Sequence, residues 1–414
     1  MMNSKLILLA LALLSVILSF RLILYFANSE SYLQGQLLTF ETTIQSQPKS
    51  SSRSQRVSLI LPNSQRAVVQ FPLKPILSYG DRLRLEGKIQ YFKAQNGHRI
   101  AFIDYPKILI LKKGIEGSLI LKVRESIINF FNSSLSPIQS SLMLGIVFGI
   151  KQEIPSGFYA NLQKTGLLHV IAASGMNISM VGGFLVGIFG LIFKRQLALI
   201  LSILGILLYA LMAGLEPSIV RASIMGILVF GAQLVGRQNS SFLGLFAAVF
   251  VMLFLNPSLL LDLGFQLSFM ATLGLIYFRP LFFLNKKIKY LIEKSLLGED
   301  LVTTITAQIF TLPILLVNFG NYSLVSILVN GILLWTVPLL MIIGGLASIF
   351  GLLFQPLGRL IAYLSVPLLF YFEKIVNLFA GLGGKFEINN LSVLIICGYY
   401  LILVSLVLFI REKR

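Results

Sequence analysis

Apolar residues fall along this chain in long unbroken runs, and runs of about 18 or more residues read as membrane spans. The first covers about 5–26. It lacks a small-x-small cleavage site, so it is expected to be an uncleaved signal anchor. The others lie near 167–193, 196–214, 218–236, 241–255, 260–278, 302–319, 323–353, 360–380 and 391–410. The expected fold is therefore a polytopic α-helical membrane protein of about ten spans. The run at 241–255 is short, and that at 323–353 is long and interrupted by Pro338, so both read as broken or tilted helices.

Between the anchor and the bundle the pattern changes to alternation. Residues 82–91 put Leu83, Leu85, Ile89 and Tyr91 on one side and Arg82, Arg84, Glu86 and Lys88 on the other, the period of a half-buried strand. Val57–Leu61, Arg66–Phe71, Ile100–Tyr105 and Ile108–Leu111 also read as strands, with the Ser-rich stretch 50–55 as a loop. Five short strands suggest a small all-β barrel of OB-like type inserted before the bundle. Residues 118–131 have the apolar and charged faces of a helix lying in the membrane interface, and 140–150 is apolar but too short to span, so it reads as interfacial or re-entrant. The expected organisation is an anchor helix at 1–29, an OB-like domain at 30–115, interfacial helices at 116–150 and a helical bundle at 151–414.

Composition fits this picture. The chain is 56% hydrophobic and only 12% charged. Soluble proteins carry about 25% charged residues to coat their surface. A soluble cytoplasmic enzyme, a disordered tail and a disulfide framework are excluded, the last because Cys397 is the single cysteine. Two histidines are too few for a His-rich metal site, and no phosphate-binding Gly-x4-Gly-Lys motif occurs. No cofactor, metal or catalytic residue is expected.

The net charge of +18 is unevenly placed. If the N-terminus is cytoplasmic, span parity puts Lys194, Arg195, Arg237, the 279–294 loop, Arg359 and the basic C-terminus inside, while the turns at 215–217, 256–259 and 320–322 hold no Lys or Arg. That is the positive-inside pattern. It predicts both termini in the cytoplasm and the OB-like domain outside. Residues 30–113 carry 13 Lys and Arg against 5 Asp and Glu, or +8. A basic exterior barrel suits a polyanion, although a solvated basic face is the plainer alternative. On its polar face Arg66, Arg82, Arg84 and Lys88 are the candidate phosphate contacts. Charge reversal at Arg82 and Arg84 is expected to weaken single-strand binding and flatten its salt dependence.

Polar groups inside spans are costly and mark function. His169, Ser174, Gly175, Asn177 and Ser179 fall within eleven residues of an otherwise apolar run. A helix restarting at Ser174 would aim free N–H groups into the bundle, where they favour an anion. Close packing through small residues is the competing reading. His169 and Ser174 stand about 140° apart on a helix, so they do not form a hydrolase dyad. A second cluster holds Glu216, Ser218 and Arg221; Arg221 either snorkels outward or faces a water-filled path with Glu216 or Asp262 as its partner. A third holds Asp262, Gln266 and Ser268, and Gln308, Asn318 and Asn330 follow.

These blocks resemble the signatures of the ComEC-type competence family, bacterial inner-membrane DNA-uptake channels. Gly166-Leu-Leu-His169-Val-Ile-Ala-Ala-Ser174-Gly175-Met-Asn177 is similar to the first block. Pro217-Ser218-x-x-Arg221-Ala222 is similar to the second, and Asp262-x-Gly264-Phe265-Gln266-Leu267-Ser268 to the third. Pro313, Phe319-Gly320, Asn330 and Pro338 fit the fourth. The second His of the first block is Asn177 here. Full-length members carry a C-terminal metallo-β-lactamase-like domain, but no His-x-His-x-Asp-His occurs in this sequence. The resemblance implies uptake of single-stranded DNA, with lipid as solvent, a cytoplasmic helicase-like motor, an external DNA receptor and a nuclease on a separate chain. A small-molecule or ion secondary transporter, or a membrane scaffold binding another polyanion, are the alternatives.

Overall fold

The computed structural model describes residues 4–27, 32–44, 49–50, 54–62, 66–75, 77, 81–93, 99–112, 119–151, 154–171, 174–237, 240–295, 298–319, 321–323, 325–382, 385–387 and 393–412. The chain divides into two compact units, 1–119 with 250–261, and 120–249 with 262–414.

The first unit opens with helix α1 (Ser4–Ala27), which leaves Leu9, Leu13, Val16, Phe20 and Ile23 exposed, as a lone helix in lipid would. Seven strands follow: β1 (Leu37–Thr43), β2 (Lys49–Ser50), β3 (Ser54–Ile60), β4 (Arg66–Pro72), β5 (Arg82–Lys93), β6 (Arg99–Asp104) and β7 (Lys107–Lys112). Their order is β1-β5-β6-β4-β3-β2, with β7 also on β5. All pairs are antiparallel except β4 with β6. Leu83, Leu85 and Ile89 point inward with Val57, Leu59, Val69, Phe71 and Ile103. The five expected strands are all present. The sequence reading missed β1, where Leu38 and Phe40 alternate into the same core. Gln55 is buried at 2% exposure and remains satisfied. Its Nε2 faces the carbonyls of Pro72, Leu73 and Pro75 at 2.8, 3.0 and 2.9 Å, and its Oε1 accepts from the Leu77 N–H, which ties down the 72–77 loop.

The second unit is helical: α2 (Leu119–Ser134), α3 (Pro137–Phe148), α4 (Ser156–Lys164), α5 (Leu168–Ile171), α6 (Gly175–Ile192), α7 (Arg195–Met212), α8 (Pro217–Leu234), the first part of α9 (Ser241–Leu255), α10 (Leu263–Tyr277), α11 (Arg279–Phe282), α12 (Lys286–Lys294) and α13 (Gly298–Phe319). Then come α14 (Val325–Leu333), α15 (Thr336–Leu353), α16 (Gln355–Tyr363), α17 (Val366–Gly381) and α18 (Val393–Glu412), with strands β8 (Asn321–Ser323) and β9 (Lys385–Glu387) paired to each other.

Among the described residues, seven helices are long and apolar enough to cross a membrane, or eight if the pair α16 and α17, bent by 46°, is one span. Of the ten expected runs, 241–255 and 391–410 hold only shorter apolar helices, Ser241–Leu255 and Ile395–Ile410, and 360–380 falls on the bent pair, whereas 167–193 and 323–353 are each broken yet still supply one span, Gly175–Ile192 and Thr336–Leu353. The run 167–193 is two helices, because α5 stops at Ile171 and α6 starts at Gly175. At 15 residues, α9 reaches only about 22 Å against a hydrocarbon core of about 30 Å. The run 323–353 breaks at Leu334-Trp335, ahead of Pro338, which sits in the first turn of α15 where a missing N–H costs nothing.

The 140–150 run is α3. It is not a surface helix, since every residue from Ser140 to Phe148 is buried. Its N-terminus is capped by Ser136, and Gly149 ends it in the left-handed conformation. α2, expected in the interface, sinks Ile127, Phe130 and Phe131 into the same apolar core as α3.

Candidate functional site

The polar residues of the bundle meet at the start of α6. Ser174 precedes that helix in an extended conformation. Its hydroxyl donates to Asn177 Oδ1 at 3.0 Å and caps no backbone N–H. Asn177 is 1% exposed. Its Nδ2 donates to the Ile146 carbonyl at 2.8 Å and approaches the Tyr209 hydroxyl at 3.4 Å. Tyr209 in turn donates to the Val147 carbonyl at 2.7 Å. The last carbonyls of α3 lack intrahelical partners, and side chains of α6 and α7 supply them. This network ties the start of α6, half-buried at Ser174 and Gly175, to the end of α3.

Arg221 comes to the same point from α8. It is 7% exposed. Its Nη1 donates to the Thr272 hydroxyl on α10. That hydroxyl donates onward to the Ser268 carbonyl at 2.9 Å. Arg221 Nη2 lies 3.1 Å from the position a Cβ would take on Gly175, so any larger residue there would crowd the guanidinium.

The acid partners expected for Arg221 are engaged elsewhere. Glu216 pairs with Lys151 at 3.2 Å. Asp262 caps α10, with Oδ1 accepting the Phe265 N–H at 2.8 Å. Gln266 follows in the first turn of that helix, and Ser218 lies in the first turn of α8.

His169 stands on α5, exposed, with Nδ1 2.9 Å from the Gly166 carbonyl. Gly166 has φ of +72°, and its Cα presses on Ser326 of α14, where a Cβ would lie 2.6 Å from that of Ser326. Gln308 of α13 donates to the Ser326 hydroxyl at 3.0 Å. Asn330, also on α14, is 1% exposed with Oδ1 buried and lacking a hydrogen-bond partner among the described residues. The structure thus gathers Ser174, Gly175, Asn177 and Arg221, and sets His169, Asp262 and Asn330 in other roles or places. Tyr209 and Thr272 were missed. Thr272 was legible as the i+4 neighbour of Ser268, whereas the place of Tyr209 at the end of an apolar helix carried no signal.

The outer face of the strands is organised differently. Arg82 and Arg84 both bind Glu41, at 3.1 and 2.8 Å. Lys88 is exposed. Arg66 opens β4, and its side chain lies outside the described part of the structure. The sequence reading missed a second group on this face. Phe92, 54% exposed, meets Phe102 edge-on at 5.5 Å. Nearby on β3 and β4, Arg56 Nε donates to Gln70 Oε1 at 2.9 Å, and Gln70 donates to the hydroxyl of exposed Tyr105 at 3.1 Å.

A bundle of apolar helices around a buried polar junction defines a multi-pass membrane protein. The family described as "Competence protein" matches residues 146–413, about 65% of the chain, and the chain belongs to that family. "ComE operon protein 3" of Bacillus subtilis (strain 168) is 30% identical over 215 residues, which cover 51% of this chain. The chain spans only about a quarter of that relative, 26% of its length being matched. No solved structure matches. The resemblance carried by the four blocks is to this same family.

Proposed function

We propose that this chain is the membrane conduit of a DNA-uptake system, a transport role and not a catalytic one. It would capture one DNA strand outside the cell and pass it through the bundle to a cytoplasmic helicase-like motor. The observation that carries the reading is the junction of Ser174, Asn177, Tyr209, Arg221 and Thr272 in a helical bundle of the competence family. A strand with a charge on every phosphate needs a wet path lined by donors; the buried Arg221 beside the start of α6 supports placing that path at this junction. His169, Ser218, Asp262, Gln266, Ser268 and Asn330 extend the list of candidate lining residues.

The β unit supports capture. Leaving β2 and β7 aside, its five main strands pair in the order β1-β5-β6-β4-β3, and β4 and β6, third and fifth of the five in chain order, are the parallel pair among the described strands. That order supports the OB-like reading, and OB-type barrels bind oligonucleotides on their second and third strands. Here those strands are β3 and β4, which carry Arg56 and Gln70 beside Phe102 and Tyr105. Stacked bases need exposed rings and phosphates need cations, so this face joins Arg66, Arg82, Arg84 and Lys88 as the candidate contact surface. The positive-inside placement of the loops supports cytoplasmic termini and an exterior β unit provided that the short helices of 241–255 and 391–410 also cross. An external receptor completes the expected partners.

The test is uptake of labelled DNA in cells lacking the chain, restored with the native sequence or with Arg221→Ala. Restoration by the native chain alone supports the conduit. Uptake unaffected by loss of the chain would sink it. The break between α5 and α6 is also a device of secondary transporters, and uptake of a small solute instead of DNA would favour that reading.

A further inference from the structure

Among the described residues, the junction carries a positive charge with no carboxylate in an ion pair with it. Arg221 is buried. Among the described ion pairs none includes it, and Glu216 and Asp262 are already engaged. Its Nη1 is turned to Thr272, which leaves the Nε–Nη2 edge. That edge is the side-on fork with which arginine grips a carboxylate or phosphate. Nε is buried and has no hydrogen-bond partner among the described residues. Nη2 stands over Gly175.

Gly175 is also the first residue of an 18-residue helix. The first N–H groups of a helix have no intrahelical acceptor, and the macrodipole makes that end positive. A capping hydroxyl would normally quench it, but the Ser174 hydroxyl is spent on Asn177. Two independent sets of donors therefore converge on one spot that lacks a Cβ. A neutral substrate would leave the guanidinium desolvated and unbalanced, whereas an oxyanion satisfies both sets together.

We propose that the N-terminus of α6 and the Nε–Nη2 edge of Arg221 form a discrete site for one phosphate group. One non-bridging oxygen takes the backbone N–H groups of Gly175 and Met176, since that of Asn177 already donates to the Ser174 carbonyl at 3.1 Å, and the other takes the arginine fork. This rests on the DNA-conduit reading and deepens it: the path holds one selective phosphate step instead of a uniformly polar wall. A single cation and a helix terminus bind one phosphate weakly enough to release it, as passage requires.

The test uses the full chain in neutral-lipid vesicles, with Cys397→Ser and Ser174→Cys placing a lone thiol at the site. Its reaction rates with an anionic sulfonatoethyl and a cationic trimethylammonioethyl methanethiosulfonate are compared with those of a free thiol. The expected anionic-to-cationic ratio exceeds the free-thiol ratio by about tenfold, corresponding to about 1.4 kcal/mol. Arg221→Gln should abolish that preference and Arg221→Lys should keep most of it. Dimethyl phosphate and a single-stranded oligonucleotide should each slow the anionic reagent.

A thiol that reacts with neither reagent, a ratio no higher than the free thiol's, or a ratio unchanged in Arg221→Gln would overturn the site. If Arg221→Gln fails to insert, protection by dimethyl phosphate in the Arg221 parent decides alone. Protection by anionic lipid in the vesicle but not by the oligonucleotide would assign the phosphate to a headgroup and overturn the strand assignment. Because the ratio is read without DNA, a chain that shows it yet supports no uptake loses the conduit reading while keeping the site.

Discussion

The two regions of this protein treat charge in opposite ways. On the β unit, Arg82 and Arg84 share one carboxylate, Glu41, in the open. In the bundle, Arg221 donates to the hydroxyl of Thr272 and keeps one buried nitrogen without a hydrogen-bond partner among the described residues. Exposed ion pairs contribute about 0–1 kcal/mol, and water offers a substitute for either partner. A desolvated guanidinium without a carboxylate is costly by several kcal/mol and persists where function requires it. The informative residues are therefore the few charges in the bundle, and on the β unit the exposed rings more than the net charge.

The largest effect is expected at Arg221. Changing it to Met removes a buried charge while keeping the volume, so the thermal midpoint of the purified chain should stay level or rise. DNA uptake should nevertheless be lost. A drop in midpoint together with loss of uptake would make Arg221 a packing residue and erase the contrast between the regions.

Next comes Asn177→Leu. It strands the Ile146 carbonyl, removes the acceptor of Ser174 and crowds Tyr209, so destabilisation of about 1–3 kcal/mol is expected. Thermal unfolding in detergent measures it. An unchanged midpoint would show that the network does not hold α6 in place.

The β unit gives smaller and separable effects. Phe92→Ala with Phe102→Ala should weaken single-strand binding by about 1–3 kcal/mol per base removed from the stack, with the salt slope unaltered. Arg82→Glu with Arg84→Glu should instead flatten the slope, by about 0.7 for each phosphate no longer neutralised. The two double variants, titrated at several salt concentrations, tell stacking from charge. The smallest change is expected for Glu41→Gln, which releases both arginines. If strands bind at that edge, affinity rises and the slope steepens. An unchanged slope would move the binding surface to Arg56, Gln70 and Tyr105.

Much of this was readable from residue order. Membrane solvent, the alternating strand at 82–91 and the polar blocks each rest on a local pattern, and five strands fell where alternation put them. The strand Leu37–Thr43 escaped because its outward positions include Leu37 as well as Thr39 and Glu41, which blurs the period. The sequence left α3 open between an interfacial and a re-entrant place, because a short apolar run looks the same whether it lies on a surface or is packed on every side; its burial from Ser140 to Phe148 favours the second.

The sequence by itself determined that the chain lives in a bilayer, where its breaks fall near Ser174, and which polar residues are too costly to be incidental. Only the tertiary structure decided which of them meet. Asp262 went to a helix cap, Glu216 to Lys151, and Arg221 to Thr272 and the bare backbone of Gly175. Those pairings join residues tens of positions apart on different helices. Local hydropathy fixes that each helix forms, but the angle and depth at which helices pack fix which side chains touch.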